Sequence, residues 1–142
     1  MIVPDVNVLV YAFRADSPRH DEYREWLHER LRSREAFGMS ELVMSGALRV
    51  LTHPRIFSPP TPVARALEFF EALRSQPNLV IVRPGERHWE IFTELCRSAG
   101  AKGNLVADAY HAALAIEQGA EWATTDRDYA RFSGLRWFHP LD

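Results

Sequence analysis

Cysteine, an excess of one charge and long apolar runs are all scarce in this sequence, and each scarcity excludes a class of protein. Cys96 is the only cysteine among the 142 residues, so no internal disulfide can form, which is typical of a reducing compartment. The 17 Lys and Arg residues are balanced by 19 Asp and Glu residues, so any contact with nucleic acid must use a local patch. No apolar run approaches the roughly 20 residues of a membrane span. We expect a cytoplasmic protein with no membrane partner.

The signatures of several enzyme classes are also missing. The six histidines include no His-x₃-His pair, and with a single cysteine the chain offers no structural zinc site. Neither a G-x-S-x-G string nor a Walker A string occurs. Any catalytic chemistry is therefore expected to come from carboxylates.

The length and the hydrophobic content predict one domain over residues 1–142. Hydrophobic residues make up 46% of the chain, and domains most often contain about 100–150 residues. The strongest breaks, His53–Pro62 and Arg83–Glu86, are short enough to be loops within that domain.

Strands and helices are predicted to alternate along the chain. The predicted strands are Ile2–Pro4, Ala36–Met39, Leu79–Val82, Glu121–Thr124 and Leu135–Phe138. Between them, apolar residues recur at helical spacing, with Ser40 capping a helix at 41–52 and Gly119 ending a helix at 105–118. This alternation predicts an α/β protein whose parallel sheet is covered on both faces.

Two local predictions are more specific. Ser17 followed by Pro18 predicts the start of a helix that runs to about Arg34. The continuous run Leu79–Val82 predicts a strand buried on both faces of the sheet.

Acidic residues follow the predicted strands at the edge where parallel α/β sheets bind ligands. Asp5 follows the first strand, Glu41 opens the helix after the second, and Asp126 and Asp128 follow the fourth. Asp108 is predicted to lie in the first turn of the helix at 105–118, whose N-terminus faces the same edge. We therefore expect these carboxylates to converge on one rim.

Such a cluster of carboxylates requires cations, because unpaired carboxylates raise one another's pKa. Hard divalent ions such as Mg²⁺ or Mn²⁺ take oxygen ligands, and two of them would neutralise four carboxylates. Two ions about 3.5–4 Å apart can activate a water and stabilise the leaving oxygen of a phosphodiester. Asn7 and Thr125 are predicted to orient the ligands.

Each acidic residue also has a purely structural interpretation. Asp108 and Glu41 can stabilise a helix dipole from the first turn. Asp126 can form an Asx turn and Asp128 can cap a short helix. Asp5 is the hardest to explain in this way, because it stands in an otherwise apolar segment.

Three segments together resemble PIN-domain ribonucleases of the VapC toxin group that is common in mycobacteria: PDVNVLVYAF, SGALRVLTHPRIF and NLVADAYHAALAIEQGAEWATTDRDYARF. The resemblance covers essentially the whole chain. It implies a three-layer α/β/α fold with a central five-stranded parallel sheet. It also implies a Mg²⁺- or Mn²⁺-dependent endoribonuclease that cleaves structured RNA (tRNA or an rRNA loop), a homodimer, and inhibition by a cognate VapB-type antitoxin.

The resemblance assigns roles to individual residues. Asp5 matches the acid after the first strand, Asp108 the third acid and Asp126 the fourth, with Asp128 adjacent. Many PIN domains carry a Glu well inside the helix after the second strand, where this chain has Gly46. Glu41 lies five residues earlier, which rotates its side chain by about 140°, and can substitute only because it starts the helix beside the rim.

Two other functions remain open at the level of sequence. The string from Asp5 to Asn7 resembles the Asp-x-Asp box of haloacid-dehalogenase phosphatases, although Asn7 stands where that box has its second acid. The missing Glu at Gly46 is also compatible with a catalytically inert PIN-like module that only binds RNA or protein.

Overall fold

Five parallel strands form a single sheet in the computed structural model, which describes residues 1–142. The strands are β1 (Ile2–Pro4), β2 (Phe37–Ser40), β3 (Leu79–Val82), β4 (Glu121–Ala123) and β5 (Trp137–Phe138). Their order is β3-β2-β1-β4-β5, so β1 lies in the centre, and Ile2 is in register with Phe37 on one side and Glu121 on the other. The predicted parallel sheet of five strands is confirmed.

Six helices cover the sheet and complete a three-layer α/β/α arrangement. They are α1 (Val6–Phe13), α2 (His20–Arg32), α3 (Glu41–Leu51), α4 (Val63–Arg74), α5 (His88–Ala99) and α6 (Asn104–Glu117). A 3₁₀ turn at Arg127–Arg131 connects β4 to β5. None of the helices has both the length and the apolar character required to cross a lipid bilayer.

The hydrophobic core is one continuous cluster of 27 buried residues to which both ends of the chain contribute. Alanines on α6 let this helix lie close to the sheet, since Ala109, Ala112, Ala113 and Ala115 are fully buried. Trp122 on β4 and Tyr129 in the 3₁₀ turn are among the largest side chains that are almost completely buried. This packing fixes the segments that carry the acidic residues at 108 and 126.

Most predicted helix caps are confirmed, but the start of α2 is not. The Ser40 hydroxyl accepts hydrogen bonds from the amides of Leu42 and Val43, and Gly119 adopts the left-handed conformation after α6 with φ 64°. Ser17 and Pro18 form a turn instead of the first helical residues. The helix begins only at His20, because Arg19 has a left-handed φ of 56°.

The prediction that Leu79–Val82 is buried on both faces is also wrong. The segment is a strand, but β3 lies at the edge of the sheet, and the side chain of Val80 is 43% exposed. An apolar run predicts a strand, and the position of that strand in the sheet depends on long-range pairing that the run does not encode.

Candidate active site

The candidate site lies at the carboxyl end of β1, at the centre of the sheet. In the sheet, β1 has β2 as its neighbour on one side and β4 on the other, so the strand order reverses at β1. Open α/β sheets bind ligands at such a switch point, beyond the carboxyl ends of the strands. A cleft of about 1090 Å³ opens there. Its lining includes Asp5, Glu41, Asp108 and Asp126.

Asp5 is the most buried of these acids, with 7% of its surface exposed. Its Oδ1 accepts a hydrogen bond from the amide of Val6 at 2.7 Å, which caps α1. Its Oδ2 accepts a hydrogen bond from the Thr124 hydroxyl at 2.6 Å, and its own amide donates to the carbonyl of Ala123 at 2.8 Å. Asp5 forms no ion pair with Lys, Arg or His, so its negative charge is held by neutral donors alone.

The environment of Asp5 makes its charge costly. The pKa of the Asp5 carboxyl is raised from 3.8 to about 6, mainly by burial and to a smaller extent by the negative charges of Asp108 and Asp126. The hydrogen bonds from Thr124 and Val6 act in the opposite direction but do not cancel the effect of burial. A carboxylate in this state gains from a nearby cation.

Asp108 faces the same cleft from α6. It is the fifth residue of the helix and not part of its first turn as predicted, because the helix begins at Asn104. The hydroxyl of Tyr129 donates a hydrogen bond to Asp108 Oδ1 at 3.3 Å. Burial, followed by the charge of Asp126, raises the pKa of Asp108. A dipole role in the first turn therefore does not account for this residue.

Asp126 and Asp128 belong to the loop that enters the 3₁₀ turn. The Asp126 carboxylate accepts a hydrogen bond from the amide of Asp128 at 2.9 Å, so the capping role considered from sequence is present. One Asp126 oxygen makes no hydrogen bond within the protein. Asp128 is exposed, and its charge acts on Asp108.

Glu41 lies at the rim of the cleft in a different environment. Its side chain is 51% exposed and pairs with Arg83 at 3.1 Å and Arg74 at 3.7 Å. It is not among the charges that shift the pKa of Asp5 or Asp108. The structure thus brings three predicted acids together and keeps Glu41 apart, with its charge neutralised by arginines.

Gly46 explains why α3 carries no acid at the position where many PIN domains have Glu. A Cβ atom on Gly46 would lie 2.9 Å from Cγ2 of Val6 on α1, which is closer than real Cβ contacts come. The methyl groups of Val6 occupy the space that a side chain at position 46 would need.

The predicted orienting residues need one correction. Asn7 is exposed in the first turn of α1 and lines the cleft, but its side chain makes no hydrogen bond within the protein. Thr125 makes none either, whereas the neighbouring Thr124 is fully buried and holds Asp5. The Thr124 hydroxyl also accepts a hydrogen bond from the amide of Asp126 at 3.0 Å, which directs its proton towards Asp5.

Thr124 and Tyr129 were not found from the sequence. The alternation of side chains along β4 is the signal that could have separated Thr124 from Thr125, because successive residues of a strand point to opposite faces. No local pattern points to Tyr129, whose contact with Asp108 depends on the packing of the 3₁₀ turn against α6.

The donor atoms in the cleft suit a hard divalent cation. They are carboxylate oxygens, and burial together with mutual repulsion raises the pKa values of two of them. No three His, Cys, Asp or Glu side chains are already grouped closely enough to hold an ion as they stand. The residues thus fit such a cation in charge and in ligand type but not in spacing, and binding would require their carboxylates to move closer together.

Comparison with known proteins defines the class. The PIN-domain model matches residues 2–135, and the chain belongs to the PIN-domain family. This confirms the family resemblance, and it gives no support to the haloacid-dehalogenase phosphatase alternative that rested on Asp5 and Asn7.

Within this family, the chain is similar along its length to VapC proteins. Ribonuclease VapC43 of Mycobacterium tuberculosis is 45% identical over 142 residues, which are 100% of this chain and 97% of that protein. Ribonuclease VapC25 of the same organism is 39% identical over 140 residues, covering 99% of each chain.

Solved structures of the same group share the fold. VapBC2 from Rickettsia felis, bound to a DNA fragment from its promoter, has a TM-score of 0.72 at 19% identity and covers 98% of both chains. VapC20 of Mycobacterium tuberculosis, described as a sarcin-ricin loop cleaving toxin, has a TM-score of 0.66 at 17% identity. It covers 96% of this chain and 99% of that one.

Proposed function

We propose that this protein is the toxin of a VapBC-type toxin–antitoxin system and acts as a metal-dependent endoribonuclease on structured RNA, such as a tRNA or an rRNA loop. The observation that carries the proposal is Asp5, a buried carboxylate without a cationic partner that faces Asp108 and Asp126 in one cleft. Relatives named as ribonucleases and aligned over the whole chain support the reaction class.

Asp5, Asp108 and Asp126 are the residues we propose to hold Mg²⁺ or Mn²⁺, with Asp128 beside them and Glu41 at the rim. The chemistry that such cations supply is Lewis-acid activation of water and stabilisation of charge on a phosphate. Burial raises the pKa values of both Asp5 and Asp108, so a metal ion would compensate the charge that each carboxylate carries when its proton is released.

Neutral side chains position these carboxylates. The Thr124 hydroxyl holds Asp5 and the Tyr129 hydroxyl holds Asp108. Because both donors are buried and uncharged, they fix the carboxylates without satisfying their demand for positive charge. Arg49 lines the cleft, is exposed and forms no ion pair, so it is available to contact an RNA phosphate.

The partners follow from the relatives and form part of the proposal. The structural neighbours include toxin–antitoxin complexes, so we expect a VapB-type antitoxin to inhibit this protein and the toxin to be a homodimer. We place all of this in the cytoplasm, with residues 1–142 acting as one domain that shares one core and one sheet.

The test is cleavage of total RNA and of tRNA by the purified protein with Mg²⁺ or Mn²⁺. We expect the wild type to cleave, excess EDTA to stop cleavage, and Asp5→Asn to be inactive while remaining folded. Asp21→Asn is the matched control, because Asp21 is exposed on α2 and lies outside the cleft.

Three results would contradict the proposal. Activity that survives excess EDTA would contradict the metal dependence, and a fully active Asp5→Asn variant would contradict the catalytic role of the Asp5 carboxylate. Tight RNA binding without cleavage in Mn²⁺ would favour an inert binding module.

A further inference from the structure

One face of α6 leads from the acidic rim into a deeper part of the cleft. Asn104, Asp108, His111 and Leu114 recur at helical spacing on this face, and all four line the cleft. His111 lies one turn, about 5 Å, further from the helix N-terminus than Asp108. The face therefore changes from acidic to apolar with depth, and His111 stands at the boundary.

His111 is a buried side chain with no hydrogen bond. The residue is 9% exposed, and its Nδ1 is sealed from solvent without a partner. Its Nε2 has no protein partner either and is not sealed, so this nitrogen is the one that reaches the cleft. The imidazole is held in place by Trp122, whose ring stacks on it with 5.4 Å between centroids and 23° between planes.

The imidazole is neutral and carries its proton on Nε2. Burial lowers the pKa of His111 to about 4, so the ring is uncharged at neutral pH. A sealed N–H group without a partner is rarer than a sealed acceptor, so the proton belongs on the nitrogen that can be hydrated. His111 thus offers one uncharged N–H donor to whatever enters the cleft.

The surroundings of His111 suit a flat, mostly apolar group and not a phosphate. Phe92, Val82 and Leu114 line the same cleft and are 9%, 4% and 1% exposed. Phe92 and Tyr110 form an edge-to-face pair with centroids 5.4 Å apart. No arginine or lysine belongs to this face of α6, and the cleft arginines Arg49 and Arg83 are contributed by α3 and by the segment after β3.

We propose that the region around His111, Val82, Phe92 and Leu114 is a subsite for one extruded nucleobase of the RNA, with His111 Nε2 donating a hydrogen bond to an acceptor on the edge of that base. This inference rests on the proposed function and names the part of the substrate that the deeper cleft receives. Bases in single-stranded loops can leave the stack, and proteins recognise them by aromatic contact and hydrogen bonds to their edges. The cleft volume of about 1090 Å³ accommodates a nucleotide whose phosphate remains at the acidic rim.

The subsite makes His111 a residue that positions and selects the substrate. It does not act as a general base, because the lone pair of the Nε2–H tautomer lies on Nδ1, which is sealed from the cleft. Losing one neutral hydrogen bond to a base corresponds to about 2- to 10-fold weaker binding. The loss should appear in KM and in RNA affinity, with little change in kcat.

The first experiment uses ¹⁵N-labelled protein without metal and observes the histidine ring nitrogens by NMR. AMP, GMP, CMP and UMP are added separately, with ribose 5-phosphate and inorganic phosphate as controls. We expect at least one nucleotide to shift the Nε2 resonance of His111 and neither control to do so. An equal shift with ribose 5-phosphate, or no shift with any nucleotide, would overturn the proposal.

The second experiment measures binding of an unpaired 12-nucleotide RNA to an Asp5→Asn protein, which is used so that the RNA stays intact. His111→Phe keeps the aromatic contact with Trp122 but lacks the donor, and we expect 2- to 10-fold weaker binding. His111→Gln places an amide N–H near the position of Nε2 and should bind within about 2-fold of the parent, whereas His111→Asn, whose amide reaches only the Nδ1 position, should resemble Phe. His28→Phe is the control, because His28 is exposed on α2 outside the cleft.

The comparison of Gln with Asn keeps the test valid even if His111→Phe is unstable. Equal RNA affinities for the parent and the three His111 variants would overturn the role of the donor. Equal losses of affinity in His111→Gln and His111→Asn would overturn it as well. Failure of the proposed function would give a different result. If the wild type cleaves no RNA but nucleotides still shift the Nε2 resonance of His111, the ribonuclease proposal is wrong and the proposal of a nucleobase subsite stands.

Discussion

The half of the cleft next to β1 and β4 buries its carboxylates against hydroxyl groups, whereas the half next to α3 exposes its carboxylate to arginines. Asp5 and Asp108 receive hydrogen bonds from Thr124 and Tyr129 and have raised pKa values. Glu41 is half exposed and pairs with two arginines. The carboxylates on one side of the cleft therefore have no cationic partner, whereas the carboxylate on the other side is already neutralised by arginines.

This contrast separates a site that demands a cation from a charged surface. Clustered acids in sequence do not distinguish the two cases, because both give acidic residues at the ends of strands. Burial and the identity of the nearest donor distinguish them: neutral donors fix a carboxylate but leave its charge uncompensated, whereas arginines remove the demand.

The largest expected effect is the difference in RNA cleavage between two variants, each of which replaces one acid in one half of the cleft. We expect Asp108→Asn to reduce RNA cleavage by at least about 100-fold, because it removes the charge of a proposed metal ligand, and stabilisation of the transition state by a bound metal is worth several kcal/mol. Glu41→Gln should reduce cleavage by less than about 5-fold, since Glu41 only pairs with exposed arginines. Initial rates on the same tRNA at saturating Mg²⁺ measure both. Equal losses of cleavage rate in the two variants would contradict the difference between the two halves and would indicate that Glu41 belongs to the metal site.

The next effect concerns stability in the absence of metal. The pKa of Asp5 rises from 3.8 to about 6 on folding, so the folded state binds the proton more tightly than the unfolded state. This contribution to stability is complete below about pH 4 and is lost as the pH rises through about 6. The loss amounts to about 3 kcal/mol in the free energy of unfolding.

Asp5→Asn isolates this contribution, because the variant has no proton to lose at position 5. Urea unfolding in EDTA should show that the variant gains stability relative to the wild type between pH 4 and pH 7.5, by up to about 3 kcal/mol. Mn²⁺ at pH 7.5 should stabilise the wild type more than the variant. A constant difference across this pH range would show that the charge of Asp5 carries no such cost.

A smaller effect should follow from removing the hydroxyl that holds Asp5. Thr124→Val keeps the shape of the buried side chain but removes a hydrogen bond to a charged group, which is worth about 2 kcal/mol. We expect the pKa of Asp5, followed by ¹³C NMR of its carboxyl carbon, to rise further and cleavage at pH 6 to fall by about 10-fold. Thr125→Val is the matched control, because Thr125 makes no side-chain hydrogen bond. A Thr125→Val variant as impaired as Thr124→Val would contradict this assignment.

The smallest effect tests the α3 half through Gly46. Gly46→Ala should lower the free energy of unfolding by on the order of 1 kcal/mol, because overpacking against Val6 exceeds the gain in helix propensity. Adding Val6→Ala opens space at the contact, so Gly46→Ala should cost less in that background, which a double-mutant cycle measures. Equal costs in both backgrounds would show that the contact with Val6 is not what excludes a side chain here.

Much of the fold was predictable because local signals agree with the global arrangement. The alternation of strands and helices predicted the parallel sheet, and the caps at Ser40 and Gly119 are where the sequence places them. The start of α2 and the exposure of Val80 were not predictable, because one depends on the left-handed backbone of Arg19 and the other on the order of strands.

The candidate site was predictable in its residue types and less so in its partners. Asp5, Asp108 and Asp126 were placed on one cleft by the rule that ligands bind beyond the carboxyl ends of parallel strands. The separation of Glu41 from them depends on arginines that are distant in the chain, at positions 74 and 83. Such pairs arise only when α4 and β3 pack beside α3, and no local pattern records them.

The hydrogen bond between Thr124 and Asp5 joins residues 119 positions apart in the chain. A polypeptide that is still being translated, or one that stops before position 124, lacks the hydroxyl that orients its first acid. The 3₁₀ turn with Tyr129, which holds Asp108, is made later still. A ribosome that synthesises this protein must therefore translate past position 129 before the cleft can assemble beside the ribosomal RNA.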